Sequence, residues 1–536
     1  MSQTNLVYNV ADKPSWPKTL LFALQQVLAI LAATIAVPAI VNNNPLVLAA
    51  IGNPEMSPSA ALFGAGVGTL VYLLFTKFKS PVFLGSSFAF LGSMAAAFCG
   101  ATTMATGYLG LIIGAALAGL VYVILSFVVK FAGTNWINKI MPAVVIGPTV
   151  AIIGLSLAGN AVGDLFKGNF LHAVPGFDST TGEAITNMVS RANWMICLFC
   201  GIVTLLVTIV VSIYGKKTLK MIPFVIGIGA GYALAAIFTG IGYAFNGAHD
   251  GLKIIDFGAF AKIEWLPNFS FLQTFIRTDG AVQFSGTYFL TILIAYVPVA
   301  FVVFAEHIAD HKNLSTVIGQ DLLKDPGLDK SLLGDGVGSI AGAFFGGCPN
   351  TTYGESIGAV AISGNASIRT IFVAALMAIV LSFIGPFATF LSTIPPCVMG
   401  GVCIALYGFI AVSGLKMLKD VDLGDNKNLF VVSVILIAGV GGLTLNFTVG
   451  DGSIVITEVA CALILGIVVN LIVRMFDKKQ KPAAELAGDA PVENAEPIVE
   501  DAPVENAEPE VEDAPVEEKP NKKNRKNNKN KEKVEE

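Results

Sequence analysis

Charged side chains are scarce in this chain. Asp, Glu, Lys and Arg make up 13% of 536 residues, hydrophobic residues 54%, and mean hydropathy is strongly positive. That balance argues against a soluble protein of several domains and for a polytopic membrane protein. The formal charge of -5 owes its acidic excess to the final segment, so it supplies no nucleic-acid surface. Histidine is rarer still, at four residues. His307 and His311 have a zinc-like helical spacing beside Asp310, but His172 and His249 fall in loops on the other side and no third convergent ligand is evident, so no metal is expected. The seven cysteines are scattered, nearly all within apolar runs. Cys197 and Cys200 have redox-like spacing but read as core residues of a spanning helix. Gly215-Lys216-Lys217-Thr218 lacks the preceding glycine of a Walker A loop, which argues against ATP as energy source. No nucleophile stands with a base, so an intramembrane enzyme is not supported, and no cofactor is called for. The first apolar stretch, from near Leu20 past Ile40, has no signal-type cleavage site and reads as a retained helix.

What the chain has in abundance is apolar runs of spanning length, roughly 20 residues each. They lie at about 18–42, 59–76, 104–130, 137–158, 192–214, 222–244, 287–308, 367–389, 394–413, 428–448 and 453–474, with shorter glycine-rich ones at about 82–99, 334–348 and 353–364. The expected fold is therefore all-α, with about fourteen transmembrane segments. Charge placement supports the count. With residues 1–17 as a cytoplasmic lead, the loops after even-numbered segments carry Lys77 and Lys79, Lys130 and Lys139, Lys216 to Lys220, Lys312 to Lys330, Arg369, and Lys416 to Lys427. Short loops on the other side, such as 42–57 and 100–106, carry none. The expected placement is a multi-pass protein of the cell membrane with both termini cytoplasmic.

Fourteen divides into two inverted repeats of seven. In each half the third segment is short and follows a polar lead-in: Gly85-Ser86-Ser87-Phe88, and Thr352-Tyr353-Gly354-Glu355-Ser356. Interrupted segments at matching places point to a transporter's binding site. Both lead-ins, in segments 3 and 10, are expected to be extended and followed by half-helices whose N–H groups face a central cavity. A carboxylate at that depth is functional by default and needs a partner. Glu355 is such a residue, and Glu306, interrupting the run from Leu290 to Ala305, is its best partner. Asp310, four residues on, shares a helix face with Glu306, while His307 and His311 form a second pair. For Asp310 and His311 the simpler reading is a solvated helix terminus. Asp335, in Gly334-Asp335-Gly336, opens a short apolar segment, where an N-cap is the simple reading.

The transmembrane domain spans residues 18–476. From about Asp477 an acidic repeat, Asp489-Ala490-Pro491-Val492-Glu493-Asn494-Ala495-Glu496, recurs from Asp501 and begins again at Asp513, ahead of a stretch rich in lysine and asparagine. Residues 477–536 therefore read as a disordered charged cytoplasmic tail.

Ala305-Glu306-His307-Ile308-Ala309-Asp310, Gly334-Asp335-Gly336 and Pro349 to Glu355, with Gly85 to Phe90 and Leu406-Tyr407-Gly408, resemble the uracil permease branch of the nucleobase/ascorbate transporter (uracil/xanthine permease) family. The likeness covers about residues 18–474. It implies a core from about 18–132 and 287–390, a gate from about 137–244 and 394–474, and commonly a homodimer moving as an elevator in membrane lipid. It implies further that Glu306 and Glu355 bind substrate, that Phe88 and Gly354 offer backbone N–H groups, that Ala33 and Tyr353 line the pocket, and that Tyr407 contacts Glu355 from the gate. Proton coupling falls to Glu306, with Asp310 and Asp335 tuning or gating. Two positions depart from the pattern: Gln25-Gln26 stands where Gln-His is common, and Asp310 where some uracil permeases have histidine. Purine-transporting relatives tend to carry glutamine at the place of Glu355, which favours a pyrimidine. The resemblance thus implies a proton-coupled uracil symporter. The alternatives are a xanthine or uric acid transporter of the same family, or an anion exchanger of the same fold, whose substrate two pocket acids would repel.

Overall fold

The structure is a computed structural model, and it describes residues 6–133, 136, 140–177, 184–216, 219–245, 250–276, 281–449 and 452–477. The expected disordered tail lies, apart from Asp477, outside the described residues. The longer helices in chain order are α1 (Trp16–Asn42), α2 (Pro58–Phe75), α3 (Leu91–Cys99), α4 (Met104–Ala132), α5 (Ala143–Ser156), α6 (Trp194–Tyr214), α7 (Pro223–Ala244), α8 (Gly286–Ile318), α9 (Leu328–Gly346), α10 (Gly354–Ser363), α11 (Ile368–Ser382), α12 (Pro396–Lys416), α13 (Asn426–Val440) and α14 (Glu458–Asp477). Local chemistry sets their starts. Thr103 caps α4 by accepting from Thr106 N, Ser285 caps α8 by accepting from Tyr288 N, and proline occupies the first turn of α2, α7 and α12.

Among the described residues nine helical stretches are long and apolar enough to cross a membrane, and the protein is a multi-pass membrane protein. The outer face of α6 shows why: Phe199, Leu206, Val210 and Ile213 are exposed, whereas Cys197, Cys200, Thr204 and Thr208 on its inner face are buried. The run expected at 367–389 is not one straight span. It breaks after α11, and a second helix, Gly385–Ser392, leaves at 83° with Pro386 in its first turn. The run expected at 428–448 ends as a helix at Val440, and a hairpin of β5 (Leu445–Val449) and β6 (Gly452–Ile456) follows it. A second hairpin, β2 (Leu171–Phe177) with β3 (Ala184–Ser190), stands in the loop expected between α5 and α6.

The helices pack in two sets. In one, α2, α4 and α9 pack closely, with α8 on α4 and α11 on α1 and α2. In the other, α12 packs on α5 and α6, α6 on α7, and α13 on α5 and α14. Glycine makes the first set tight. A Cβ on Gly68 would meet the carbonyl of Gly338 at 2.8 Å, one on Gly338 would meet that of Gly68 at 2.8 Å, and one on Gly336 would meet that of Gly119 at 2.9 Å.

Extended backbone stands at both places but slightly ahead of the expected lead-ins, since Phe88 lies in a 3-10 turn and Gly354, Glu355 and Ser356 are already helical, and the two extended stretches meet. β1 (Leu84–Ser86) pairs antiparallel with β4 (Asn350–Thr352), with Gly85 opposite Thr351. The pair is buried, its backbone groups satisfying each other away from water, as irregular backbone at membrane depth must. A 3-10 turn, Phe88–Phe90, leads from β1 into α3, and Tyr353 leads from β4 into α10.

Candidate functional site

Beside the β1–β4 pair, the first turns of two short helices open on a cavity of about 460 Å³ lined by Phe88, Glu306, Asp310, Tyr353, Gly354 and Glu355. The initial N–H groups of any helix have no acceptor within it, so each helix start presents donors there. A Cβ on Gly354 would meet nothing within 4 Å, so the backbone at this point is open to a ligand.

Helix α8 has two polar rows. Glu306 and Asp310 face the cavity, and Asp310 Oδ2 accepts a hydrogen bond from Thr352 Oγ1 at 2.7 Å, tying α8 to β4. His307 and His311 are fully buried on the other side, their rings stacked at 4.0 Å between centroids. His307 Nδ1 donates to Asp335 Oδ2 on α9 at 2.7 Å, and its Nε2 lies 2.9 Å from Ser331 Oγ. His311 Nδ1 donates to the carbonyl of His307 at 2.8 Å, and its Nε2 lies 2.7 Å from the hydroxyl of Tyr72, which lies 2.7 Å from Ser80 Oγ. His311 is therefore not at a solvated terminus, since α8 continues to Ile318.

Asp335 is not an N-cap. It lies inside α9, 1% exposed and outside the large cavity. The flanking glycines serve helix packing, Gly334 against Tyr72 and Gly336 against Tyr122 and Gly119. Ala33 is fully buried in α1 and does not line the cavity, whereas Ala29 does. The Tyr407 ring packs edge-on against Phe88 at 5.6 Å, and among the described residues no hydrogen bond joins it to Glu355. The Tyr353 hydroxyl donates to the carbonyl of Ser86 at 2.6 Å, across the strand pair.

Several residues were missed as site residues. Gln26 Nε2 contacts Ser356 Oγ and donates to the Ser356 carbonyl at 3.4 Å, while Ser356 Oγ accepts from Phe83 N at 3.2 Å. Gln26 thus joins α1 to the first turn of α10, beside Glu355, and an amide in an apolar run was the signal for it. Lys220 and Lys416 line the cavity as well, although their positions mark them only as loop charges. A second cavity, of about 520 Å³, lies at the other ends of α1 and α12, lined by residues such as Asn42, Glu55, Asn169 and Cys403. It contains none of the expected site residues.

Comparison with known proteins agrees with this architecture. Residues 17–447 match the Permease family, Xan_ur_permease. The chain is similar to proteins named uracil permease. That of Bacillus caldolyticus is 37% identical over 87% of this chain and 94% of its own length, and that of Bacillus subtilis 36% over 90% and 99%. That of Escherichia coli K12 is 33% identical over 88% and 95%. Among solved structures, the murine solute carrier 26 family member A9 anion transporter in the inward-facing state superimposes with a TM-score of 0.56 at 14% identity, covering 87% of this chain and 69% of that one, a likeness of fold alone. The chain belongs to the Permease family, in its uracil permease branch, and is a transporter rather than an enzyme.

Proposed function

We propose that the chain imports uracil across the cell membrane by proton symport, with an elevator-type alternation of access. The observation that carries this reading is the cavity in which Glu306 and Glu355 stand beside the first turns after β1 and β4. Uracil presents two N–H donors and two carbonyl acceptors around a flat ring. Glu306 and Glu355 take the N–H groups, and the N–H groups of Phe88 and Gly354 take the oxygens. Hydrogen bonds to charged acceptors are the stronger kind. A solute of about eight heavy atoms has a ceiling of roughly -1.5 kcal/mol per atom, so each polar edge must be matched. A proton moving down about 100 mV supplies roughly 2.3 kcal/mol, enough for about fifty-fold accumulation.

The wider frame is fourteen crossings in two inverted repeats. The nine long spans, the bent pair of α11 and its successor, and the helices α3, α9, α10 and α13 are in keeping with that number. The two packing sets support a division into a core that carries Glu306 and Glu355 and a gate that carries Tyr407. The cavity reaches Lys220 and Lys416, which the distribution of positive charge assigns to the cytoplasm, so this conformation faces inward. Phe88 against Tyr407 then forms part of the barrier toward the second cavity.

The test is uptake of labelled uracil into cells lacking their own carrier. Glu355→Gln should abolish uptake or shift competition toward purines, and unchanged uptake would refute the assignment. Glu306→Gln should lose the sensitivity of uptake to a protonophore. Retained sensitivity would remove the coupling role while leaving substrate recognition intact.

A further inference from the structure

Behind the strand pair, α4, α9 and β4 enclose a small internal cavity of about 10 Å³, room for one water molecule. Three buried polar atoms belong to residues that line it: Asp335 Oδ1, the Tyr122 hydroxyl and Asn350 Oδ1. Among the described residues none of the three has a hydrogen-bond partner. Their residues are 1%, 4% and 1% exposed. The opposite end of two of them is already engaged: Asp335 Oδ2 accepts from His307, and Asn350 Nδ2 donates to the Gly64 carbonyl at 2.9 Å. The amide nitrogen is thereby turned away, which leaves the amide oxygen for the cavity.

We propose that this cavity is a binding site for a single ordered water. The water donates its two hydrogens to Asp335 Oδ1 and Asn350 Oδ1 and accepts one from the Tyr122 hydroxyl. Three bonds are the usual complement of a buried water, and buried polar atoms are rarely left without one. A hard cation fits less well, because it takes about six oxygen ligands and, among the described residues that line the cavity, three buried atoms are unpartnered. The water links α4, α9 and β4. It therefore seats the strand that continues into Gly354 and Glu355, and Thr351 is the partition, since it lines both this cavity and the large one. Its role is to position the strand, and it holds whatever the transported solute.

The test is a high-resolution structure of the full chain in lipid, with amide exchange measured across residues 350–352. A single peak about 2.6–3.2 Å from all three atoms is expected. An empty cavity overturns the proposal, and so does a peak with about six close oxygen ligands, which identifies a cation. Ala118→Val adds bulk to the lining and should displace the water and speed exchange about tenfold. Tyr122→Phe adds no bulk and serves if the first variant fails to fold. It removes one bond and should speed exchange severalfold, and unchanged exchange in it overturns the positioning role.

Discussion

His307→Leu removes the donor that Asp335 holds at 2.7 Å and the contact with Ser331 at 2.9 Å, in a place where both His307 and Asp335 are buried from bulk solvent. Two accounts of that bond predict different magnitudes. If it is an ordinary hydrogen bond between helices in a membrane, it contributes about 0.6 kcal/mol on average and at most about 1.7. If the histidine is what allows a carboxyl group to be buried in α9, removing it leaves that group uncompensated and costs about 3–5 kcal/mol. The geometry favours the second account, because Asp335 Oδ1 already has no protein partner and loss of His307 would leave neither oxygen with one. The two accounts separate in a double-mutant cycle read by unfolding in detergent. His307→Leu alone should lose about 4 kcal/mol, while His307→Leu combined with Asp335→Leu should lose much less, since a buried pair replaced by apolar groups is often nearly neutral. If the double variant loses the sum of the two single losses, the histidine is not there to satisfy the carboxyl group and the reasoning fails.

Gly85→Ala should destabilise by about 1–3 kcal/mol, because a Cβ there would collide with the Tyr353 ring, which its bond to Ser86 holds in place. Thermal unfolding checks it. Gly354→Ala should stay within about 0.5 kcal/mol of the parent in the same measurement, since its Cβ meets open space, yet weaken uracil uptake because the methyl enters the cavity. Gln26→Leu should cost about 1–2 kcal/mol and raise the KM for uptake, because it removes the α1 support of the turn that carries Glu355. An unchanged KM in that variant would show that Ser356 keeps its place without Gln26.

The places where the two apolar runs are interrupted, and the acids, were legible because each violates its surroundings: glycine, serine, threonine and carboxylates interrupt runs that are otherwise apolar, though the extended stretches begin a few residues earlier than that pattern indicates. What could not be read was the partnership between them. Gly85 opposes Thr351 only after the chain has folded, and no local pattern specifies a register across such a separation. Asp335 suggests a cap because it opens a short apolar run in the sequence. In the structure, Gly334 packs against Tyr72 and Gly336 against Tyr122 and Gly119, so small size rather than backbone freedom is what these positions need. The bend after α11 and the β5–β6 hairpin escaped notice because hydropathy reports length in residues and not direction. Lys220 and Lys416 were visible only as charge, since their approach to the cavity depends on how separate helices pack.

One helix carries both polar rows, and this constrains how the site can be built. Successive residues on a helix differ by about 100° around its axis, so Glu306 and His307 cannot be turned independently. The bonds from His307 to α9 and from His311 toward Tyr72 on α2 therefore fix the rotation of α8, and with it the direction in which Glu306 and Asp310 point. Asp310 is held a second time, by Thr352 of β4, and β4 is in turn paired to β1. The cavity acids thus sit on a frame whose fixed points lie on α2, α9 and the strand pair, all on the side away from α12. That arrangement suits a site that must keep its geometry while the surface opposite it slides, because none of the bonds that orient Glu306 and Asp310 crosses to the helices carrying Phe224, Phe409 or Lys416.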